Sequence, residues 1–564
     1  MNTSSTSFRL LCILAAAAFS LPVCAGTTLF YNGRVRILDA KDTVADWIAV
    51  QDGRVAGYGV GRRFETFAEA EKVDLVGRTI LPGLTDAAVG VVRAGLELSW
   101  IDLASTRSPQ EAADRVKGGL AGLPVGRAVV GRGWDQSRWG ADKLPSRLTL
   151  DRVASDRPII LWRIDGHAAW ANTAALKAAG FWAKDAPDPA GGRIQRDRDG
   201  LPTGVLLDAA AREAAKLIPE PGDADRREAI ARVAEKALSL GITTIHNSSA
   251  SLRDVELTRE LLRAGKVRAR FYEMISVKNE PDLAKVFRRG IEVDAENGLL
   301  TVRTVKLFAD GAMGSRGALF EEPYFDDPST HGIEITAPAL LAKQVTQANA
   351  AGFQVAVHAI GSLANKRVLD TLEAVLGNQI AAKRPRIEHA QVLTAEEIAR
   401  MGRLGVVASM QPAQCTSDMH WVVARIGAAR AKHSYAWRSL ADVGVRIAFG
   451  SDAPVESLSP WEGIYAAATR QTADGRPAGG FQPEQRLTLF EAARAYTYGG
   501  AYAAFAEKER GTLETGRIAD LVILDEDPFQ HGPAEVRDAR VVATYVAGEK
   551  AWAAPVRLAK PQRR

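Results

Sequence analysis

The stretch APALLAKQVTQANAAGFQVAVHAIG, residues 337–361, contains one unit of the pattern that decides the fold. Its first part, Ala337–Ala351, has the spacing of an amphipathic helix, and Phe353–Gly361 is an apolar run of strand length. A helix that leads directly into an apolar strand is typical of parallel sheets, whose faces are covered by helices. The polar His358 stands near the end of this run, where a parallel strand would carry it to one edge of the sheet.

The same alternation continues on both sides of this unit. Helical stretches at Asp223–Leu240 and Ala395–Leu404 fall between further strand-like runs. Eight candidate strands can be counted: Thr79–Ala87, Thr243–Ser249, Arg268–Ser276, Val302–Asp310, Phe353–Gly361, Arg384–Gln391, Val406–Pro412 and Arg446–Asp452. Eight such units predict an α/β fold, the (β/α)8 TIM barrel, because right-handed crossovers place the helices outside a closed sheet.

The two ends of the chain have a different sequence pattern, in which short strand-like runs of alternating apolar and polar residues are separated by turn residues. We expect residues 26–78 and 510–556 to pair into one small β-sandwich domain, and residues 79–509 to form the barrel. The interval after the first candidate strand is far longer than one βα unit. It predicts an insertion at about 89–241.

Residues 1–25 have the features of a secretory signal peptide: Arg9, the apolar run Leu10–Leu21, and a small-residue ending. The run is shorter than the ~20 apolar residues that a membrane-spanning helix needs. We therefore expect cleavage after Ala25 and a periplasmic or secreted protein without a membrane anchor. Lipidation at Cys24 is the alternative.

Composition excludes several classes of function. The chain has 564 residues, and its 72 basic residues against 67 acidic ones leave a net charge of only +5. No clustered basic tract with interleaved aromatic residues is present, so nucleic-acid binding has no support. Cys415 is the one cysteine after residue 25, which excludes an internal disulfide. The expected partner is a small-molecule substrate, and homo-oligomer formation is left open.

Four polar residues end or interrupt otherwise apolar strands: Lys306, His358, His389 and Asp452. In a (β/α)8 barrel, catalytic residues gather at the carboxyl ends of the strands. A lone strand-end histidine is usually a packing or capping residue, but two histidines and an aspartate together favour a metal site. A lysine in an apolar strand is costly to bury charged. Its neutral amine can react with carbon dioxide to form a carbamate, which is an oxygen ligand.

Five sequence blocks make the resemblance to a known family specific. They are LPGLTD (81–86), KLFADG (306–311), HAIG (358–361), IEHA (387–390) and GSDAP (450–454), joined by GWDQ (133–136), DGH (165–167) and GTLETGRIAD (511–520). In this order they resemble the metal-dependent amidohydrolase superfamily. The resemblance is strongest to its amidohydrolase 3 branch, which includes N-substituted formamide deformylase-like proteins, and it spans nearly the whole chain after residue 25.

The resemblance implies a hydrolase that acts on carbon–nitrogen bonds other than peptide bonds, in an amide or formamide-like small molecule. A metal-activated water would attack the carbonyl carbon. By position, Lys306 would be the carbamate ligand, and His358 and His389 would hold one metal. Asp452 would be the general base and, in a two-metal site, also a metal ligand.

The sequence departs from the family pattern on the first strand. Relatives follow the Pro-Gly-x-x-Asp block with His-x-His, whereas this chain has Ala88 and Gly90 at those positions. Neither residue can bind a metal. We therefore expect one divalent metal, zinc, held by His358, His389 and carboxylated Lys306, with an open position for water.

A further set of residues is predicted to line the substrate cavity. His246 follows an apolar run, and it and His167 are the nearest imidazoles that could replace a missing ligand. Trp134, Asp135 and His167 belong to the two insertion blocks, and Asp310 belongs to the Lys306 block. Structural packing is the alternative role for the insertion residues.

The missing histidines leave two other functions open. The first is a catalytically impaired barrel that binds a ligand without turnover. The second is a single-metal esterase or lactonase, which the same set of residues would also support.

Overall fold

The computed structural model describes residues 26–61, 64–122, 126–139, 145–164 and 166–555. The predicted signal peptide, with Cys24 and Ala25, lies outside these residues. Within the described ranges, no helix has both the length and the apolar character needed to cross a bilayer.

Eight parallel strands form the central barrel, and each pairs with the next one along the chain. They are Leu84–Val89, Ile242–Ala250, Arg270–Ser276, Leu300–Phe308, Gln354–Ala359, Arg386–His389, Val407–Met410 and Ile447–Phe449. A parallel bridge between Val89 and Ala453 joins the first strand to the residues that follow the last one. The predicted (β/α)8 barrel is confirmed.

Helices cover the outside of the barrel between successive strands. The main ones are Asp223–Ser239, Leu252–Arg263, Leu283–Arg289, Pro338–Ala350, Ser362–Leu376, Ala395–Leu404, Trp437–Asp442 and Pro460–Thr469. In the helix Ala395–Leu404, residues at both ends explain where the helix begins and stops. Thr394 and Glu397 form a capping box at its start, and Gly405, with φ 72°, ends it.

The first predicted strand, Thr79–Ala87, is wrong as a single element. Thr79–Pro82 pairs with Arg34–Arg36 and Leu521–Leu524 in the terminal domain, and the barrel strand begins only at Leu84. Gly83 separates the two elements. A Cβ atom at this glycine would lie 2.3 Å from Thr243 Oγ1, so the close approach of the second strand requires glycine.

The terminal domain consists of two sheets. One contains only N-terminal strands, Thr28–Tyr31, Trp47–Gln51, Arg54–Gly59 and Glu71–Asp74. The other combines both chain ends, with strands Arg34–Arg36, Val44–Ala45, Thr79–Pro82, Leu521–Leu524, Val541–Val546 and Glu549–Ala553. Phe30, Ile80, Ile523 and Tyr545 share one buried core between the sheets.

The insertion is a separate layer with its own six-stranded sheet. Its strands are Ile101–Asp102, Val129–Trp134, Ile159–Arg163, Ala168–Ala171, Gly192–Arg196 and Pro202–Asp208, and its helices are Pro109–Gly119, Arg147–Asp151, Thr173–Ala178 and Ala209–Ala215. The predicted range of about 89–241 is too wide. Helices Val91–Glu97 and Asp223–Ser239 pack in the barrel core, so the insertion interrupts the chain between them.

Candidate functional site

The four predicted strand-end residues come together at the carboxyl end of the barrel. The rings of His358 and His389 have centroids 4.5 Å apart and meet edge to face. The ring of Phe308 lies 5.7 Å from the ring of His358 and 5.4 Å from Lys306 Nζ. The charge of Asp452 acts on both His389 and Lys306. Residues from four different strands therefore share one site.

His389 reaches this site because its strand ends in an unusual backbone conformation. Alternate residues of the strand Arg386–His389 face the barrel interior, which would place Glu388 inside and His389 outside. His389 instead has φ 78° and Ala390 has φ 45°, and both values are uncommon for residues with a side chain. The imidazole Nδ1 donates to Gln411 Oε1 at 2.9 Å. In the neutral ring, Nε2 is then the unprotonated nitrogen, and its lone pair is the one that a metal could bind.

His358 presents a buried nitrogen that has no hydrogen-bond partner. Its Nε2 lies 3.6 Å from Asp310 Oδ1, too far for a hydrogen bond. Burial, together with the positive neighbours His389 and Lys306, holds the pKa of His358 well below its usual value. The neutral imidazole is the form that binds a metal.

Lys306 is almost fully buried, with 4% of its surface exposed. Burial lowers its pKa, although the carboxylates of Glu388 and Asp452 act in the opposite direction. A second lysine, Lys278, follows the third strand, and its Nζ lies 3.7 Å from the centroid of the Phe308 ring. Sequence reasoning missed Lys278, although its position just past an apolar strand is the signal that identified the other residues.

Asp452 is positioned by backbone and side-chain contacts. It has φ 57°, and its N–H donates to the Ala88 carbonyl at 2.7 Å. Its Oδ2 accepts a hydrogen bond of 3.1 Å from Gln414 Nε2. Gln414 Oε1 in turn accepts from Gln391 Nε2 at 2.7 Å. Two glutamines that no sequence motif identified therefore hold the carboxylate of the predicted base.

A buried polar network lies beneath the site, inside the barrel. Arg386 and Glu388 form an ion pair of 2.7 Å, and neither side chain is exposed. Arg386 also donates to the carbonyl of Ala87 at 2.8 Å and to His246 Nδ1 at 3.1 Å. Sequence analysis assigned no role to Arg386 or Glu388. Their alternate positions in an otherwise apolar strand are the sequence feature that indicates such a pair.

Comparison with known proteins agrees with this geometry. A model of the amidohydrolase family, in its amidohydrolase 3 branch, matches residues 71–550. The chain belongs to the amidohydrolase family. It is 32% identical to the putative amidohydrolase YtcJ of Bacillus subtilis, over 92% of this chain and 98% of that protein. It is 29% identical to the N-substituted formamide deformylase of Arthrobacter pascens, over 92% of this chain and 97% of the relative.

A solved structure from the same comparison extends the likeness to the fold. An uncharacterized metal-dependent hydrolase of Pyrococcus horikoshii superposes with a TM-score of 0.73 and 29% identity, over 90% of this chain and 99% of that chain. The chain therefore shares the fold of this hydrolase as well as the amidohydrolase family.

The first barrel strand carries Ala88 and Gly90, the positions at which the sequence resemblance predicts the two missing histidines. Ala88 is 3% exposed, and a Cβ atom at Gly90 would lie 3.3 Å from the Ala453 carbonyl oxygen and 3.4 Å from Ser249 Oγ. His246 lies in the barrel interior, and its buried Nε2, like that of His358, has no hydrogen-bond partner among the described residues. Its Nδ1 accepts from Arg386, and its ring packs on Tyr272 with centroids 4.8 Å apart.

Two of the predicted substrate residues, Trp134 and Asp310, are completely buried. Trp134 is completely buried in a hydrophobic core of the insertion, and it donates from Nε1 to the Leu161 carbonyl at 2.7 Å. Asp310 is completely buried too. Its carboxylate accepts from the N–H groups of Leu319, Ile360 and Gly361, so it fixes the loops around the site.

The other two predicted substrate residues lie in the insertion. More than half of the His167 side chain is exposed, and Nδ1 pairs with Asp208 Oδ1 at 2.9 Å. Asp135 is partly buried after the strand Val129–Trp134. Asp165, of the same sequence block as His167, lies outside the described residues.

The donor atoms that the described residues offer to a metal ion are few. In the part of the chain that the structure describes, no three His, Cys, Asp or Glu side chains gather closely enough to hold an ion. The buried Nε2 atom of His358, which lacks a hydrogen-bond partner, and the Nε2 atom of His389 are the two nitrogen atoms that a metal here would use. Carboxylation of Lys306 would supply the third. Asp86 precedes the two positions at which the histidines are missing. Its carboxylate accepts hydrogen bonds from the N–H groups of Ala88 and Ser451.

Proposed function

We propose that this protein is an exported, metal-dependent hydrolase that cleaves a carbon–nitrogen bond, other than a peptide bond, in a small amide or formamide. The observation that carries the proposal is the meeting of the His358 and His389 rings, whose centroids are 4.5 Å apart, in the electrostatic field of Lys306 and Asp452. The similarity to an N-substituted formamide deformylase supports the same class of reaction.

The proposed ligands of a single zinc ion are His358, His389 and carboxylated Lys306. When bound there, zinc would supply an activated water and polarise the substrate carbonyl. The carboxylate of Asp452 would accept the proton of the attacking water and deliver it to the leaving nitrogen. The carbon–oxygen bond forms as the carbon–nitrogen bond breaks, and the products are a carboxylic acid and an amine.

Metal analysis combined with a substrate panel tests this function. We expect about one zinc ion per chain after preparation with excess metal, and hydrolysis of amides or formamides that Asp452→Ala abolishes. Well under one ion per chain would refute the metal-dependent mechanism. Esters and lactones in the same panel separate an esterase from an amidohydrolase.

Ala88 and Gly90 favour a second candidate, a ligand-binding protein without turnover. This candidate predicts that substrate analogues bind, that no member of the panel is hydrolysed, and that Asp452→Ala changes no measurable rate.

The location proposed for either function is the periplasm or the medium, after removal of residues 1–25. N-terminal sequencing of the exported protein tests the cleavage, with Gly26 expected as the first residue.

A further inference from the structure

Lys278 brings a second lysine nitrogen to the site, beside Lys306. It lies two residues after the third barrel strand, Arg270–Ser276, and its Nζ lies 3.7 Å from the centroid of the Phe308 ring. Lys306 Nζ lies 5.4 Å from the centroid of the same ring. The charge of Lys278 acts on Lys306 and on His358. The two lysine nitrogens therefore belong to one site.

The position of Lys278 is not explained by a carboxylate of the fold. Its side chain is exposed, yet its Nζ lies on the ring of Phe308. Burial alone lowers the pKa of Lys278, and among the described residues no carboxylate contributes to that pKa. The ring face attracts a cation weakly, and the like charge of Lys306 opposes it. An anion at Lys306 would turn this repulsion into attraction.

Carboxylation of Lys306 would create that anion. The lone pair of the neutral amine forms a bond to the carbon of carbon dioxide, and one carbon–oxygen π pair becomes an oxygen lone pair. One proton leaves the nitrogen for water. The resulting carbamate carries a negative charge in the field of Asp452, which opposes it. With Ala88 and Gly90 on the first strand, a carbamate that binds one metal instead of two loses part of what stabilises it.

We propose that Lys278 is a positioning residue whose ammonium group pairs with the carbamate of Lys306 and supplies positive charge that a second metal would otherwise contribute. The proposal rests on the proposed function, in which carboxylated Lys306 is a metal ligand. Arg386 is the other cation whose charge acts on Lys306, and it is held by Glu388 in an ion pair of 2.7 Å. Lys278 has the free charge and the flexible stem that such a pair requires.

Carbon NMR of the zinc-treated protein in isotopically labelled bicarbonate detects the carbamate independently of activity. We expect one carbamate signal in the unchanged protein, which Lys306→Met removes. In Lys278→Met, the bicarbonate concentration that gives half of the maximal signal should rise by about 10-fold, the usual effect of one nearby opposite charge. Lys278→Arg keeps the charge and should restore most of the loss.

Lys285→Met is the matched control. Lys285 belongs to the helix that follows, Leu283–Arg289, and its Nζ lies 3.9 Å from the carboxylate of Asp282 on the surface. Thermal melts establish that each variant is folded. A carbamate that is absent from the unchanged protein, an unchanged midpoint in Lys278→Met, or an equal shift in the control overturns the proposal.

The same variants separate this proposal from the hydrolase function. A carbamate that depends on Lys278, in a protein that hydrolyses no member of the substrate panel, would support the role of Lys278 and refute the hydrolase. Hydrolysis with a carbamate that is independent of Lys278 would refute this role and leave the hydrolase standing. Weaker binding of anionic amides by Lys278→Met, with an unchanged carbamate, would assign Lys278 to substrate recognition instead.

Discussion

The backbone N–H of Asp452 donates a hydrogen bond of 2.7 Å to the carbonyl oxygen of Ala88. The residue predicted to act as the base is thus anchored to the residue that replaces the first family histidine. Gly90, at the second replaced position, donates from its N–H to the Ala453 carbonyl at 2.8 Å. These two backbone hydrogen bonds close the barrel between its first strand and the segment that carries the predicted base.

The double variant Ala88→His with Gly90→His should bind about one more metal ion per chain than the unchanged protein. Gly90 has φ −83°, which residues with a side chain adopt freely, and the nearest contacts of a new Cβ atom are 3.3 and 3.4 Å. Two imidazoles at alternate positions of one strand end would supply the ligands that this strand now lacks. Elemental analysis before and after the change measures the gain.

The matched control is the double variant with glutamine at both positions, which adds similar volume without imidazole. Metal content that rises equally in this control, or stays constant in a folded histidine variant, would show that the deficit lies elsewhere.

Gln411→Leu should weaken metal binding by about 10- to 100-fold, because the amide oxygen orients the ring of His389 through Nδ1. Gln391→Leu is the control, since Gln391 bonds to Gln414 and has no such contact with the imidazole. Competition with a chromophoric chelator measures both affinities. Equal losses in the two variants would indicate a general effect on folding.

Asp452→Asn should lower kcat by about 10²- to 10⁴-fold, the usual contribution of a general base, while the metal content stays near that of the unchanged protein. The amide cannot accept the proton of the attacking water. Steady-state rates and elemental analysis of the same preparation check both parts. A rate within about threefold of the unchanged protein would remove Asp452 from the mechanism.

The sequence predicted the barrel well because most of its strands are continuous apolar runs that end in polar residues. It failed at Thr79–Ala87, where two strands in different domains form one apolar run and only Gly83 separates them. The meeting of Lys306, His358, His389 and Asp452 was predictable because these residues lie at or just after the carboxyl ends of barrel strands. Gln411 and Gln414 were not, because they act through contacts between strands that sequence spacing does not reveal. Trp134 was predicted to line the substrate cavity, and the structure buries it inside the insertion. Its burial was not predictable because the sheet of the insertion is formed by strands from distant parts of the sequence.

Replacing one partner of the buried Arg386–Glu388 pair should destabilise the protein by about 3–5 kcal/mol, because the other charge is left buried without compensation. The double variant Arg386→Met with Glu388→Met should cost less than either single change. Urea denaturation of the three variants completes a double-mutant cycle. Additive losses would mean that the two side chains do not interact.

Glu273 gives a pH dependence of stability that is separate from catalysis. It is completely buried, and it accepts hydrogen bonds from Asn247 at 2.8 Å and from Thr258 at 3.3 Å. Burial raises its pKa to about 8, from 4.5 in the unfolded chain. Between these two values the folded protein keeps a proton that the unfolded chain loses. The free energy of unfolding therefore falls as the pH rises through this window.

Glu273→Gln removes the titration and retains the shape of the side chain. The stability of this variant relative to the unchanged protein should therefore grow by about 1–3 kcal/mol between pH 5 and pH 8. Urea denaturation at several pH values measures the difference. Glu235→Gln, on the exposed surface of the helix Asp223–Ser239, is the control and should show no such trend. A constant difference across the range would show that Glu273 is ionised in the folded protein.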